Sequence, residues 1–174
     1  DLAKASPTPQ ALDSHHGGRI FTLDWNADDQ LICGGADGVL QILDPTAHTV
    51  LYSMRGHEGG IRCARWSPGG DAFASASTDG KVKIWEAKHA TESTLLSGYR
   101  QCFAWSGDGK YRAARGVAPE SKRLGKVGAA TLSNAQTLEA IHIFGEQDTQ
   151  DEPRASCHQL AFSPDSTRLA ITRK

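Results

Sequence analysis

The sequence predicts an all-β chain built from tandem copies of one unit. Three observations support this. A block of residues recurs about every 42 positions, short runs of β-forming residues alternate with turn residues, and no stretch keeps the 3.6-residue apolar period of a helix. A length of 174 residues is enough for one domain with a sizeable core.

The repeat is clearest in two long alignments. Residues 57–66 lie over residues 16–25 at an offset of 41, with His, Ile and Trp in identical places, and residues 79–86 lie over residues 37–44 at an offset of 42. Weaker copies of the same register follow in the second half of the chain. The aromatic anchors of the four units are spaced 41, 39 and 57 residues apart: Trp25, Trp66, Trp105 and Phe162.

Turn residues separate the β-rich runs within each unit. The run 72–77 is followed by Thr78-Asp79-Gly80 and then by a second β-rich run, 81–85. Asp-Gly between two such runs predicts a tight hairpin, because glycine tolerates a positive φ without steric cost. Each unit therefore reads as short antiparallel strands joined by turns.

Composition argues against several classes of partner. The hydrophobic content of 39% is ordinary for a globular domain. With 19 Lys and Arg against 20 Asp and Glu, the net charge of -1 creates no global attraction to nucleic acid or to an anionic membrane. The longest apolar stretches, such as residues 138–144, are far shorter than the ~20 residues that span a bilayer. We predict neither a membrane nor a nucleic-acid partner.

The cysteines and the ends of the chain carry two further expectations. Cys33, Cys63, Cys102 and Cys157 form no C-x-x-C pair and lie in apolar runs, which indicates buried, reduced thiols and favours a reducing compartment such as the cytoplasm. The sequence starts at Asp1 instead of Met and ends inside the second strand of its fourth unit. We therefore expect a fragment of a longer protein.

Four features of the best-preserved unit resemble the WD-repeat β-propeller family: Gly56-His57, Ser67-Pro68, the Ser77-x-Asp79 step and the closing Trp85-Glu86. The resemblance covers nearly the whole chain after about residue 9. It implies a propeller segment of four-stranded antiparallel blades, with about three complete blades and part of a fourth. The expected divisions are a tail (1–8), repeat 1 (9–46), the best-matching repeat 2 (47–88), a degenerate repeat 3 (89–134) and an incomplete repeat 4 (135–174).

The resemblance also implies a buried hydrogen-bonded tetrad in the second repeat, formed by His57, Ser77, Asp79 and Trp85. The first repeat keeps His16 and Asp37 but has Gly35 and Leu43 at the other two aligned positions, so we expect only half a tetrad there. Ser, His and Asp could also suggest a hydrolase triad. However, no G-x-S-x-G elbow is evident and the residues recur at the repeat period. We predict no catalytic residues, no metal and no cofactor.

Two insertions interrupt the later units. Residues 115–126, between the second and third strands of the third unit, carry a net charge of +3, and residues 145–155, leading into the inner strand of the fourth, carry -3. In an up-and-down blade these two connections emerge on the same face, which the family calls the top. They are either tolerated surface loops or neighbouring arms of a partner site.

The family resemblance implies an interaction scaffold that holds a protein partner, and the alternative is an accessory propeller of a larger enzyme whose catalytic domain lies outside this sequence. Acidic groups on the partner would suit Arg19 and Arg62. A simpler alternative is that Phe21 packs between blades while the arginines are solvated. Transfer of the family's top-face contact positions gives nine residues: Arg19, Phe21, Gly60, Arg62, Thr78, Tyr99, Gln101, Ser156 and His158.

Overall fold

A computed structural model describes residues 16–97, 99–116, 130–144 and 157–173 of the chain. Everything regular in these residues is β-strand, and they contain no helix that could cross a membrane. The described strands are β1 (Ile20–Trp25), β2 (Leu31–Gly35), β3 (Val39–Asp44), β4 (Thr49–Arg55), β5 (Ile61–Trp66), β6 (Ala72–Ser77), β7 (Lys81–Glu86), β8 (Thr91–Ser97), β9 (Tyr99–Trp105), β10 (Tyr111–Gly116), β11 (Ala130–Asn134), β12 (Ala140–Phe144), β13 (Cys157–Phe162) and β14 (Leu169–Arg173).

The strands form a series of separate antiparallel sheets in which neighbours in sequence are neighbours in space. The first sheet has the order β1-β2-β3-β4, the second β5-β6-β7-β8 and the third β9-β10-β11-β12, while β13 pairs with β14. The predicted fold class is therefore confirmed: the described residues hold three four-stranded blades and two strands of a fourth. The tail 1–8 lies outside the described residues.

The repeats that the sequence predicts are offset from these sheets by one strand. Repeat 2 (47–88) contains β4, which is the last strand of the first sheet, followed by the first three strands of the second sheet. Repeat 3 (89–134) likewise begins with β8 and continues through β11. Repeats 2, 3 and 4 thus each contribute to two sheets, so that adjacent blades are joined through the repeat itself.

The hairpins between the second and third strands of the first two sheets have the predicted turn residues. Gly38 and Gly80, which follow Asp37 and Asp79, have φ angles of 75° and 84°. At Gly38 a Cβ atom would also collide with the carbonyl oxygen of His57. Glycine is required there both for the left-handed backbone and for the close approach of the neighbouring segment.

The core lies between the faces of adjacent sheets. Alternation along β6 sends Phe73 and Ser75 toward the first sheet, while Ala74 and Ala76 join the cluster that faces the third sheet. Phe73 stacks on Trp85 with ring centroids 5.9 Å apart and meets the edge of Trp66 at 5.3 Å. Apolar burial between sheets is the main stabilising contribution to this architecture.

Side chains on the first strand of each sheet also bond to the next sheet. The Thr22 hydroxyl accepts the Ala64 amide at 3.0 Å, and the Asp24 carboxylate accepts the Trp66 amide at 2.8 Å. One sheet further on, the Cys63 thiol donates to the Phe103 carbonyl oxygen at 3.5 Å. Because β1, β5 and β9 are joined in this way, their ends are held in fixed relative positions and can form a composite surface.

Candidate functional site

A buried chain of hydrogen bonds runs through the second sheet. His57 Nδ1 lies 2.9 Å from Asp79 Oδ2, and His57 Nε2 lies 2.8 Å from Ser75 Oγ. The Trp85 indole N–H donates to the same Ser75 hydroxyl at 2.9 Å. The His57 side chain is 0% exposed and that of Asp79 is 9% exposed, so these polar groups satisfy one another away from water.

The direction of donation along this chain is compatible with a neutral imidazole. Trp85 can only donate, so the Ser75 hydroxyl accepts from it and can donate its own proton to His57 Nε2. His57 Nδ1–H then donates to the Asp79 carboxylate. Burial lowers the pKa of His57 below the 6.5 of a free histidine, although the adjacent carboxylate opposes the shift. The structure therefore holds a neutral His57.

The carboxylate at the end of the chain remains ionised. Burial alone would raise the pKa of Asp79, but hydrogen bonds from His57 and from the Lys81 and Glu58 amides outweigh it and lower the pKa below 3.8. The Lys81 amide lies 3.0 Å from one carboxylate oxygen and the Glu58 amide 3.3 Å from the other. Asp79 thus anchors the Asp-Gly turn and the His57 ring at the same time.

Ser77 is not part of this chain, so its predicted place in the tetrad is wrong. Its hydroxyl donates to the Gly59 carbonyl oxygen at 2.9 Å and accepts the Asp79 amide at 3.1 Å. The His57 ring extends from the turn into the body of the sheet, and its second nitrogen therefore reaches Ser75, two residues deeper in β6. Ser75 and Ser77 lie on the same face of the strand, which is why spacing alone did not separate them.

The first sheet has a shortened version of the same chain. His16 Nδ1 lies 3.1 Å from Asp37 Oδ2, as the sequence predicts, but His16 Nε2 also lies 3.1 Å from Cys33 Sγ. Cys33 aligns with Ser75 at the 42-residue offset, so the prediction that only half a tetrad forms is wrong: a thiol occupies the third position. Only Leu43, which replaces the indole donor, leaves the chain incomplete.

Burial raises the pKa of the Cys33 thiol to about 11, even though the Gln41 amide opposes the shift. The sulfur is therefore a neutral S–H that donates to His16. Hydrogen bonds from the Val39 and Gly17 amides and from His16 outweigh burial and lower the pKa of Asp37 below 3.8. The first blade therefore keeps the hydrogen-bonded arrangement of the second blade, with the weaker thiol donor of Cys33 in place of a serine hydroxyl.

Neither polar chain resembles a working catalytic site. Ser75 and Cys33 are both 0% exposed and lie between sheet faces, so a substrate cannot approach either nucleophile. Within the described part of the chain, no group of three or more His, Cys, Asp and Glu residues could hold a metal ion. The arrangement satisfies buried polar groups and fixes the turns that follow β2 and β6.

Five of the nine predicted contact residues lie at one end of the first two sheets, where β1 and β5 begin. The Ala36 amide donates to the Arg19 carbonyl oxygen at 2.8 Å, and the Thr78 amide donates to the Gly60 carbonyl oxygen at 3.0 Å. A Cβ atom at Gly60 would lie 3.4 Å from Ala36 Cα. The two hydrogen bonds hold each sheet end together, and the contact of Gly60 with Ala36 joins the two ends into one surface, which we call the top face.

The top face contains a preformed cationic contact. The Arg62 guanidinium carbon lies 4.2 Å above the centroid of the Phe21 ring, and both side chains are exposed, Phe21 at 38%. Phe21 therefore supports Arg62 instead of being buried between blades. Arg19 is also exposed nearby, whereas Asp37 and Asp79 are already bonded to histidines and backbone amides.

The other predicted contact residues are less fully placed. Tyr99 begins β9 and Gln101 follows it in the same strand, and His158 is the second residue of β13. Their side chains, and Ser156 altogether, lie outside the described residues. The same holds for most of the two charged insertions, residues 117–129 and 145–156, which follow β10 and β12.

Comparisons with known proteins agree with this architecture. The family model described as "WD domain, G-beta repeat" matches twice, over residues 7–44 and 48–86. Protein CIA1 of Arabidopsis thaliana is 30% identical over 86 residues, which cover 43% of this chain and 24% of that protein. Human serine-threonine kinase receptor-associated protein is 41% identical over 56 residues, covering 32% of this chain and 16% of the relative.

A solved structure extends the similarity to most of the fold. A chain in the "Crystal Structure of Mitotic Checkpoint Complex" superimposes with a TM-score of 0.74 at 20% identity, covering 92% of this chain and 47% of the other. The sequence therefore spans less than half of that chain and about a quarter or less of these two curated relatives.

Proposed function

The chain carries WD40 repeats in a β-propeller fold, and from this premise we propose that it is a scaffold whose top face binds a protein or peptide partner carrying acidic groups. The observation that carries the proposal is the exposed pair Arg62 and Phe21, whose stacking holds a guanidinium at the surface. A cation that is already oriented loses less side-chain entropy when it binds.

Two exposed guanidinium groups on the top face support an acidic partner. Arg19 and Arg62 are exposed near the beginnings of β1 and β5, and Glu58 is an exposed carboxylate beside them. Histidines and backbone amides occupy the oxygens of Asp37 and Asp79, so these carboxylates do not pair with the two arginines in the described structure. Guanidinium groups bind carboxylates in a bidentate geometry, which adds specificity as well as affinity.

Shape supports the same surface. Gly60 has no side chain, and its carbonyl oxygen is bonded to the Thr78 amide, so the surface between Arg62 and Thr78 is low and rigid. Arg and aromatic residues are enriched among residues that dominate binding energy. We therefore infer that a peptide or loop crosses from Arg19 over Gly60 to Thr78, with Tyr99, Gln101, Ser156 and His158 as the further positions along its path.

The test compares two charge-matched double variants in affinity capture with quantitative mass spectrometry. Arg19→Gln with Arg62→Gln removes two cations from the top face, whereas Lys88→Gln with Lys110→Gln removes two exposed cations from turns at the other end of the sheets. We expect the first variant to lose at least about tenfold of the captured partner at low salt and the second to retain it. Equal capture by both folded variants would reject the site.

A further inference from the structure

The opposite end of the sheets contains a cavity that the proposed function does not use. It has a volume of about 340 Å³ and lies where the ends of β1, β5, β9 and β13 converge. The four aromatic anchors of the repeat, one from each sheet, line its wall: Trp25, Trp66, Trp105 and Phe162. The periodicity of the sequence therefore places four large rings around one space.

Aromatic rings in the wall of the cavity remain accessible. Trp25 is 55% exposed, and Trp105 and Phe162 are partly exposed, whereas Trp66 packs against Phe73 in the core between the first two sheets. Exposed aromatic rings around a concave surface are typical of ligand pockets, which have volumes of about 300 to 1,000 Å³. A volume at the lower limit of that range suits one ring or one side chain.

Arg65 supplies the positive charge of this wall. Its Nη1 donates to the Ala64 carbonyl oxygen at 2.7 Å, to Thr22 Oγ1 at 3.2 Å and to the Leu23 carbonyl oxygen at 3.3 Å. These bonds fix the guanidinium through one nitrogen, and the remaining donors of the group are not used in any of them. The side chain is only partly buried and lines the cavity.

Among the described residues that line the cavity, Arg65 is the one with a charged side chain. Asn26 and Ser67 also line the cavity, but their side chains are already bonded to Gln30 and Asp71. No carboxylate is among the described residues that line the cavity, so a ligand carboxylate would balance the charge of Arg65.

We propose that this cavity binds a carboxylate attached to a small aromatic or apolar group, with Arg65 pairing the carboxylate and the rings of Trp25, Trp105 and Phe162 covering the apolar part. The carboxylate can come from a free organic acid or from the C-terminus of a peptide that ends in an aromatic residue. Both sources present the same two acceptor oxygens next to one ring.

The tryptophans themselves report on binding. The chain has 4 Trp residues, so a nitrogen-15 spectrum of the whole protein resolves four indole N–H signals. The probes are 3-phenylpropionate, its neutral analogue 3-phenylpropanamide and an acetylated tripeptide that ends in phenylalanine with a free carboxylate. We expect the acid to shift the signals of the cavity tryptophans and to leave Trp85, which is bonded to Ser75, unchanged. The tripeptide arm then distinguishes a peptide end from a free acid.

Two sets of variants separate charge recognition from folding. Arg65→Gln should weaken binding of the acid at least about tenfold, as expected when a charged hydrogen-bond partner is lost. Because Arg65 also joins two sheets, a second pair uses the exposed lining residue Ala161: Ala161→Asp should weaken binding by repulsion, and Ala161→Asn should not.

Several results would overturn the proposal. These are an amide that binds as well as the acid, shifts of Trp85 equal to those of the other tryptophans, or no shift with either carboxylate at millimolar concentration. Equal affinities of Ala161→Asp and Ala161→Asn would also overturn it. None of these measurements depends on the top face, so the failure of one proposal leaves the other intact.

Discussion

The first and second sheets place the same two residue types, His and Asp, at matching positions, and yet their polar cores differ. In the second sheet Trp85, Ser75, His57 and Asp79 form an uninterrupted series of donors and acceptors. In the first sheet Cys33 replaces the hydroxyl and Leu43 replaces the indole. One repeat therefore has a complete polar chain, and the other ends at a thiol.

The difference between the two blades shows that the hydrogen-bonded chain and the aromatic core are linked in the second blade. Trp85 donates to Ser75 while its ring stacks on Phe73, so one side chain links the hydrogen-bonded chain to the apolar core between the sheets. Leu43 instead belongs to a small buried cluster with Leu31 and Cys33. We expect the second blade to be the stiffer of the two, because any local opening there breaks a connected series of buried hydrogen bonds.

The largest expected effect comes from removing the two histidines. His57→Ala should destabilise the chain by about 1 to 3 kcal/mol, because Asp79 and Ser75 both lose a buried partner. His16→Ala should cost less, about 1 kcal/mol, since a thiol loses little when its partner is removed. Chemical denaturation of both variants measures the difference, and equal losses would contradict the comparison.

A smaller effect should separate the two serines of β6. Ser75→Ala leaves the Trp85 indole and His57 Nε2 without a partner in a fully buried place, at a cost of about 1 to 2 kcal/mol. Ser77→Ala affects the Gly59 carbonyl oxygen and the Asp79 amide, which lie at the turn and can reach water more easily. Denaturation midpoints should therefore fall further for Ser75→Ala. A lower midpoint for Ser77→Ala than for Ser75→Ala would indicate that Ser77, and not Ser75, is the serine of the tetrad.

The pH dependence of stability should carry the signature of His57. Because burial lowers its folded-state pKa, the unfolded chain binds more protons than the folded chain between that pKa and the 6.5 of a free histidine. The part of the folding stability that depends on a neutral His57 is fully present above pH 6.5. It is lost as the pH falls through this window, by at most about 1.4 kcal/mol per pH unit. Urea denaturation at about pH 7 and about pH 5 should show a smaller change for His57→Gln than for the natural chain. The same change in both would contradict a neutral His57.

The sequence predicted the parts of the fold that depend on local chemistry. Asp37-Gly38 and Asp79-Gly80 lie at tight turns because few other pairs accept that backbone, and the His and Asp pairs meet as expected. The serine was misassigned because residues 75 and 77 lie on one face of β6 and the depth reached by His57 depends on how the strands pair. One signal could have corrected this: at the 42-residue offset, Ser75 aligns with the polar Cys33 and Ser77 with Gly35.

The aromatic anchors show a second limit of sequence reasoning. Their spacing identified the units, but only the convergence of β1, β5, β9 and β13 shows that they surround a cavity with Arg65 in its wall. Spacing along the chain fixes equivalent positions within each blade. It does not fix what those positions enclose, because that depends on the angle between successive blades.

Native-state hydrogen exchange of the amides in β2 and β6 tests the difference between the two blades most directly, because these strands hold Cys33 and Ser75 at equivalent positions. The complete polar chain predicts that β6 amides open with a higher free energy than β2 amides. It also predicts that Ser75→Ala lowers the value for β6 to that of β2 while β2 is unchanged. Equal protection of the two strands in the natural chain, or β6 protection that survives Ser75→Ala, would contradict the account.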